Sequence, residues 1–262
     1  MVQLSPTPGP RPSYPSPRPA SVAADPVARL AERLEVSGAD PLLTWYHDRA
    51  RVELSGRTVG SWLAKTVHLM AEEGIGAGDL VYLPVLADRP LHWVSCCWLL
   101  ACWWSGARPS VRPEDAATAA VAVSGPDASG TDPAVPLVQC SLEPLAGPCR
   151  QAVPGAIDFT EALAMPDEMP APTPAPATGI WLCDQVPLTG QQLAEQSRID
   201  EAVMVDAEGL VSAGASLRTP AARIAELLAG CLLGAGSLVL VESPPDGLSL
   251  AGLAAQEHAR PA

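Results

Sequence analysis

Residues 58–86 read TVGSWLAKTVHLMAEEGIGAGDLVYLPVL, and this stretch decides the fold. Val59, Trp62, Leu63, Val67 and Met70 recur at helical spacing, so Thr58 to Glu73 reads as an amphipathic helix. Gly74 offers the left-handed stop that ends such a helix. Gly76 and Gly78 continue a tight turn, and Leu80 to Leu86 follows as an apolar run of the kind buried in parallel sheets.

The alternation continues on both sides. Upstream, Asp25-Pro26 is an N-cap with proline at the first helical position, and Val27, Leu30, Ala31 and Leu34 give that helix one apolar stripe. Leu42 to His47 and Arg51 to Ser55 form a hairpin about Asp48. Downstream, Pro90 to Ser105 is a Trp-rich helix, Ala119 to Val123 and Pro136 to Cys140 are strands, and Asp158 caps a short helix through Ala164. A further strand is expected at Ile180 to Cys183, and Thr189 with Gln192 has capping-box spacing. Leu210 to Ser212 reads as a short strand, Thr219-Pro220 as a helix start, Ser237 to Glu242 as a strand and Ser249 to His258 as a last helix. Strands alternating with helices imply βαβ units, so the fold class is α/β, layered α/β/α with mostly parallel strands.

Composition divides the chain. Residues 1–22 are rich in proline, which lacks an N–H and fixes φ, and are expected to be a disordered tail. Residues 23–164 form a first α/β unit, the Pro-rich residues 165–178 a linker, and residues 179–262 a second, truncated unit. A net charge of −13 repels polyphosphate and argues against nucleic-acid binding. The strongest apolar run, Trp93 to Trp104, is too short for a membrane span and reads as a buried helix. Seven cysteines at irregular spacings, several inside apolar runs, suit reduced, buried thiols in a cytoplasmic protein.

Leu54 to Ala107 resembles the N-terminal region of the adenylate-forming (AMP-binding) superfamily, which includes acyl-CoA synthetases. The carrying phrases are Val52-Glu53-Leu54-Ser55, Gly74-Ile75-Gly76-Ala77-Gly78-Asp79-Leu80-Val81 and Trp104-Ser105-Gly106-Ala107. They are similar to the superfamily's "ELSY", "GVGPGDRVAV" and "KAGA". Leu188-Thr189-Gly190 looks like its "LTHRNL" element, and residues 232–240, LLGAGSLVL, look like its "LLAGATVVL" strand. The pieces keep the superfamily's order across residues 25–260. Ser141-Leu142-Glu143-Pro144-Leu145 and Pro154-Gly155-Ala156-Ile157-Asp158 are similar to a family of short bacterial proteins related to the front half of those enzymes. The resemblance implies a truncated N-terminal domain of an adenylate-forming enzyme.

The residues that would hold ATP depart from that pattern. The superfamily places a Ser/Thr/Gly-rich loop ending in Pro-Lys-Gly before the "LTH" helix, where backbone N–H groups and a lysine meet phosphates. Here Trp181-Leu182-Cys183 is followed by Asp184-Gln185-Val186-Pro187, and Asp184 would repel phosphate. The single lysine, Lys65, falls on the far side of the amphipathic helix and reads as a solvated surface residue. The later "YGxTE" motif and the lysine-bearing C-terminal domain have no counterpart in these 262 residues.

Other constellations are weaker. His92 and Cys96 share a helix face with Cys97 and Cys102 near, but Trp93, Trp98, Trp103 and Trp104 surround them, which favours buried core thiols over a metal site. Gly74-x-Gly76-x-Gly78 precedes a strand rather than a helix, so it is no dinucleotide fingerprint, and Asp79 reads as a turn residue. No serine-hydrolase elbow or Walker-type loop occurs. The expectation is a non-catalytic relative of adenylate-forming enzymes that binds a partner protein or a small acyl or nucleotide ligand. No catalytic, metal or cofactor residue is assigned, and self-association is open. The alternative is an AMP-dependent acyl-adenylating ligase with a degenerate or partner-completed site.

Overall fold

The computed structural model describes residues 25–36, 38–212 and 218–262. The proline-rich residues 1–22 lie outside the described residues. Helix α1 (Pro26–Val36) starts where Asp25 accepts from Val27 N at 2.9 Å. Strands β1 (Pro41–His47) and β2 (Ala50–Ser55) form the expected hairpin, with Asp48 left-handed at φ 51° in the turn. Helix α2 (Gly56–Glu72) is capped by Ser55, whose hydroxyl accepts from Thr58 N at 3.2 Å, and Gly74 follows it at φ +73°.

The apolar run after that turn departs from expectation. Strand β3 is only Leu80–Tyr82, and Pro84 opens a helix, α3 (Pro84–Asp88). Proline has no N–H to give a sheet, and its fixed φ suits a first helical turn. Helix α4 (Trp93–Ser105) is buried along its whole length. Strands β4 (Arg108–Ser110), β5 (Val121–Ser124), β6 (Leu137–Gln139) and β7 (Ile157–Asp158) follow, and Asp158 caps the 3-10 helix Phe159–Ala164.

Strands β8 (Ile180–Leu182) and β9 (Leu188–Thr189) form a short antiparallel pair, and helix α5 (Gly190–Ala194) begins with the Thr189–Gln192 capping box. Next comes strand β10 (Ala202–Asp206), which the sequence pattern missed. The expected strand at Leu210 to Ser212 is instead helix α6 (Ala207–Ser212). Asp206 accepts from Gly209 N at 2.8 Å, and this side-chain bond turns the chain out of the strand. Helix α7 (Pro220–Leu233), strand β11 (Ser237–Val241), helix α8 (Leu250–Gln256) and strand β12 (Arg260–Pro261) complete the described chain.

Two five-stranded sheets result. One has the order β12-β10-β11-β1-β2, parallel except at the β1–β2 hairpin; the other, β4-β3-β5-β6-β7, is parallel throughout. Helix α4 packs against β1 of the first sheet and β4 of the second, which explains why it is apolar all round. The chain is therefore α/β with mostly parallel strands. Strand β11, from residues 179–262, lies between β10 and β1, so the stretches divided by composition share one sheet and one core.

Residues 165–178 lie along this core. Trp104 Nε1 donates to Pro170 O at 2.9 Å, and Thr173 N to Trp104 O at 2.8 Å. Gly106, at φ +73°, lets Thr173 approach; a Cβ there would sit 2.2 Å from Thr173 O. Lys65 is not the solvated residue expected. It is half-buried, and its Nζ donates to Leu163 O at 3.1 Å and Met165 O at 2.8 Å.

Candidate functional site

Parallel strands present their carboxyl ends on one rim, where α/β proteins place ligands. On that rim β8 docks beside β4: Cys183 N donates to Pro109 O at 2.8 Å, and Val111 N to Cys183 O at 3.0 Å. The next residues, 184–187, cross to β9. Gly190, where α5 starts, is needed because the Trp181 indole packs on it; a Cβ would lie 2.5 Å from Trp181 Nε1.

Asp184 turns inward and is 4% exposed. Its carboxylate accepts from the hydroxyl of Thr219 and from Gln185 N at 2.6 Å. Thr219 is also the N-cap of α7, accepting from Ala222 N at 3.2 Å. A buried carboxylate thus stands against the N-terminal end of a 14-residue helix, where the backbone dipole favours negative charge.

A cavity of about 360 Å³ opens beside it, lined by Ala87, Val111, Arg112, Glu114, Asp184 and Thr219 among others. A second lobe of about 310 Å³ adjoins it through Ala87 and Pro220 and is walled by Arg89, Leu91, Leu210, Val211 and Glu242. The arginines of this cleft are engaged. Arg89 Nε donates to Glu242 Oε1 at 2.8 Å, and this pairing holds its pKa up. Arg112 Nε meets Glu114 at 3.0 Å and Asp115 at 3.6 Å. Asp88, at the rim, has its carboxyl pKa raised by burial and then by the charge of Asp127.

The groups singled out from sequence fall elsewhere. His92 is buried at the N-cap of α4: Nδ1 accepts from Val94 N at 3.2 Å, which leaves Nε2 to donate to Leu142 O at 3.2 Å. Burial, followed by the charge of Arg89, lowers its pKa to about 3. With both nitrogens committed, it has no lone pair for a metal. Cys96, Cys97 and Cys102 are buried, and burial pushes the Cys97 thiol up to about 12 and the other two higher still. Trp93, Trp98, Trp103 and Trp104 pack in the main core. Asp79 accepts from Gly76 N at 2.8 Å and holds the turn before β3.

Of the loop weighed in the sequence, Asp184 lines the cleft with Gln185 beside it. Thr219, noted only as a helix start, and Arg89, Arg112 and Glu242 join it there through contacts distant in the chain. One local signal existed: Glu242 directly follows β11 at its carboxyl end, where parallel sheets carry sites.

No helix among the described residues is long and apolar enough to cross a membrane. No protein-family model matches the chain. The fold matches the acyl-CoA synthetase of Brucella canis with a TM-score of 0.57 at 16% identity, covering 84% of this chain and 43% of that one. It also matches a Mycobacterium tuberculosis fatty acyl CoA synthetase with a TM-score of 0.57 at 13% identity, covering 90% and 48%. The chain thus spans less than half the length of these structures and shares their fold. A TIGR03089 family protein of Mycobacterium tuberculosis (strain ATCC 25618 / H37Rv) is 30% identical over 244 residues, covering 89% of this chain and 96% of that protein. On that near full-length match, the chain belongs to the TIGR03089 family.

Proposed function

We propose that this protein is a non-catalytic relative of the adenylate-forming enzymes, working by binding a ligand in the cleft beside Asp184. The observation that carries the reading is the buried Asp184 carboxylate at the N-terminal end of α7. A phosphate brought there would meet a fixed negative charge in a low-dielectric setting, which is strongly repulsive. The loop offers no compensation: residues 184–187 contain neither glycine nor lysine, and Arg112 is already held by Glu114 and Asp115. The rim position and the two neighbouring lobes support ligand binding.

Carboxylic-acid-dependent exchange between ATP and pyrophosphate tests the reading with the purified chain. Exchange at the level of a no-protein blank is expected across short-, medium- and long-chain acids. Acid-dependent exchange well above the blank, lost on substituting Thr219 or Arg112, would instead favour an acyl-adenylating ligase.

A further inference from the structure

We propose that the cleft takes a ligand carrying a positively charged amine on an alkyl arm, with Asp184 as the amine's counter-charge. The inference rests on the reading of the cleft as a ligand site. Four carboxylates, Asp88, Glu114, Asp184 and Glu242, and two guanidiniums, Arg89 and Arg112, line the two lobes. Each arginine is already engaged by a carboxylate, at 2.8 Å for Arg89–Glu242 and 3.0 Å for Arg112–Glu114. Among the described residues that line the lobes, an incoming anion therefore finds no free cation, while an incoming cation finds an excess of negative charge.

Asp184 is the one buried carboxylate of these four. It lines the cavity at 4% exposure, yet among the described residues its contacts are a hydroxyl and a backbone N–H, with no cationic side chain. Buried charges are ordinarily paired, because leaving water costs several kcal/mol. The positive end of α7 offsets roughly half a charge at most, so a deficit remains that an ammonium group would fill.

The second lobe supplies the apolar half. Leu91, Leu210 and Val211 wall it, and Val211 is 74% exposed, a large apolar side chain that an alkyl arm would cover. Ala87 and Pro220 line both lobes, so the apolar wall lies next to the cavity that Asp184 lines.

The probes are hexylamine, hexanamide and hexanoate, titrated into the full chain by calorimetry at low ionic strength. Hexylamine is expected to bind at least about tenfold more tightly than hexanoate, with hexanamide between, and to weaken as salt is added. Asp184→Asn should remove most of that preference while leaving hexanamide binding in place. Should Asp184→Asn fail to fold, Glu114→Gln at the exposed rim should still narrow the amine–acid gap. Hexanoate binding as tightly as hexylamine, or a gap unchanged in the folded variants, overturns the amine assignment and leaves the cleft standing as a ligand site. If none of the three probes binds, the amine assignment falls together with the cleft as a ligand site.

Discussion

Thr219 donates its hydroxyl proton to Asp184 while accepting from Ala222 N, so one side chain caps α7 and satisfies a buried carboxylate. The two residues are 35 positions apart, and their contact joins the residues after β8 to the helix on which the cleft is built. Thr219→Val removes both bonds. A lost cap and a buried acceptor left short of a donor should together cost about 1–3 kcal/mol. A double-mutant cycle with Asp184→Asn, read by urea unfolding, is expected to give a coupling of about 1 kcal/mol. Additive effects would mean that the bond contributes nothing to stability.

His92 makes stability fall in mild acid. Its pKa is depressed to about 3 in the folded protein, by burial first and by Arg89 next, against an ordinary value of 6.5. Above pH 6.5 the ring is neutral in both states and no penalty arises. Between pH 6.5 and 3 the unfolded chain takes up a proton that the folded one refuses, so stability drops by up to about 1.4 kcal/mol per pH unit. His92→Asn keeps a capping side chain and removes the titration. Wild type should therefore lose about 2 kcal/mol more than the variant between pH 7 and 5. Parallel pH profiles for the two proteins would refute the assignment.

The thiols should react slowly. Six of the seven cysteines are buried, and burial raises their pKa values, which starves the reactive thiolate. Cys149 is the half-buried one, its pKa pushed up to about 11 by burial and then by Asp158. Titration of the native protein with a chromogenic disulfide should label Cys149 first, and the others only on denaturation. Rapid labelling of Cys96, Cys97 or Cys102 would contradict the packing of α4.

A fragment of residues 178–262 should not fold alone. Strand β11 pairs with β1 from Leu238 to Val241, and cutting the chain leaves that edge and its apolar face open. Circular dichroism with limited proteolysis is expected to find a loose chain. A monomeric, protease-resistant fragment would be at odds with the shared sheet.

Much of this architecture was legible in local pattern. The period of Val59, Trp62, Leu63, Val67 and Met70 marks α2, the Thr189–Gln192 spacing marks its capping box, and Thr219-Pro220 marks the start of α7. These features rest on contacts within a few residues, which local sequence encodes directly. Residues 80–86 and 202–212 were harder. Short apolar runs suit strand or helix alike, and the outcome was fixed by Pro84 in one case and by the Asp206 side chain in the other. The cleft was mostly hidden. Asp184 stood out because of what it replaces, but its burial, its partner Thr219, and the Arg89–Glu242 pair 153 positions apart exist only once the strands have taken their neighbours. Sequence order does not choose between β1 and another strand as the neighbour of β11. Burial of both faces of the sheet does, and that is a property of the assembled core.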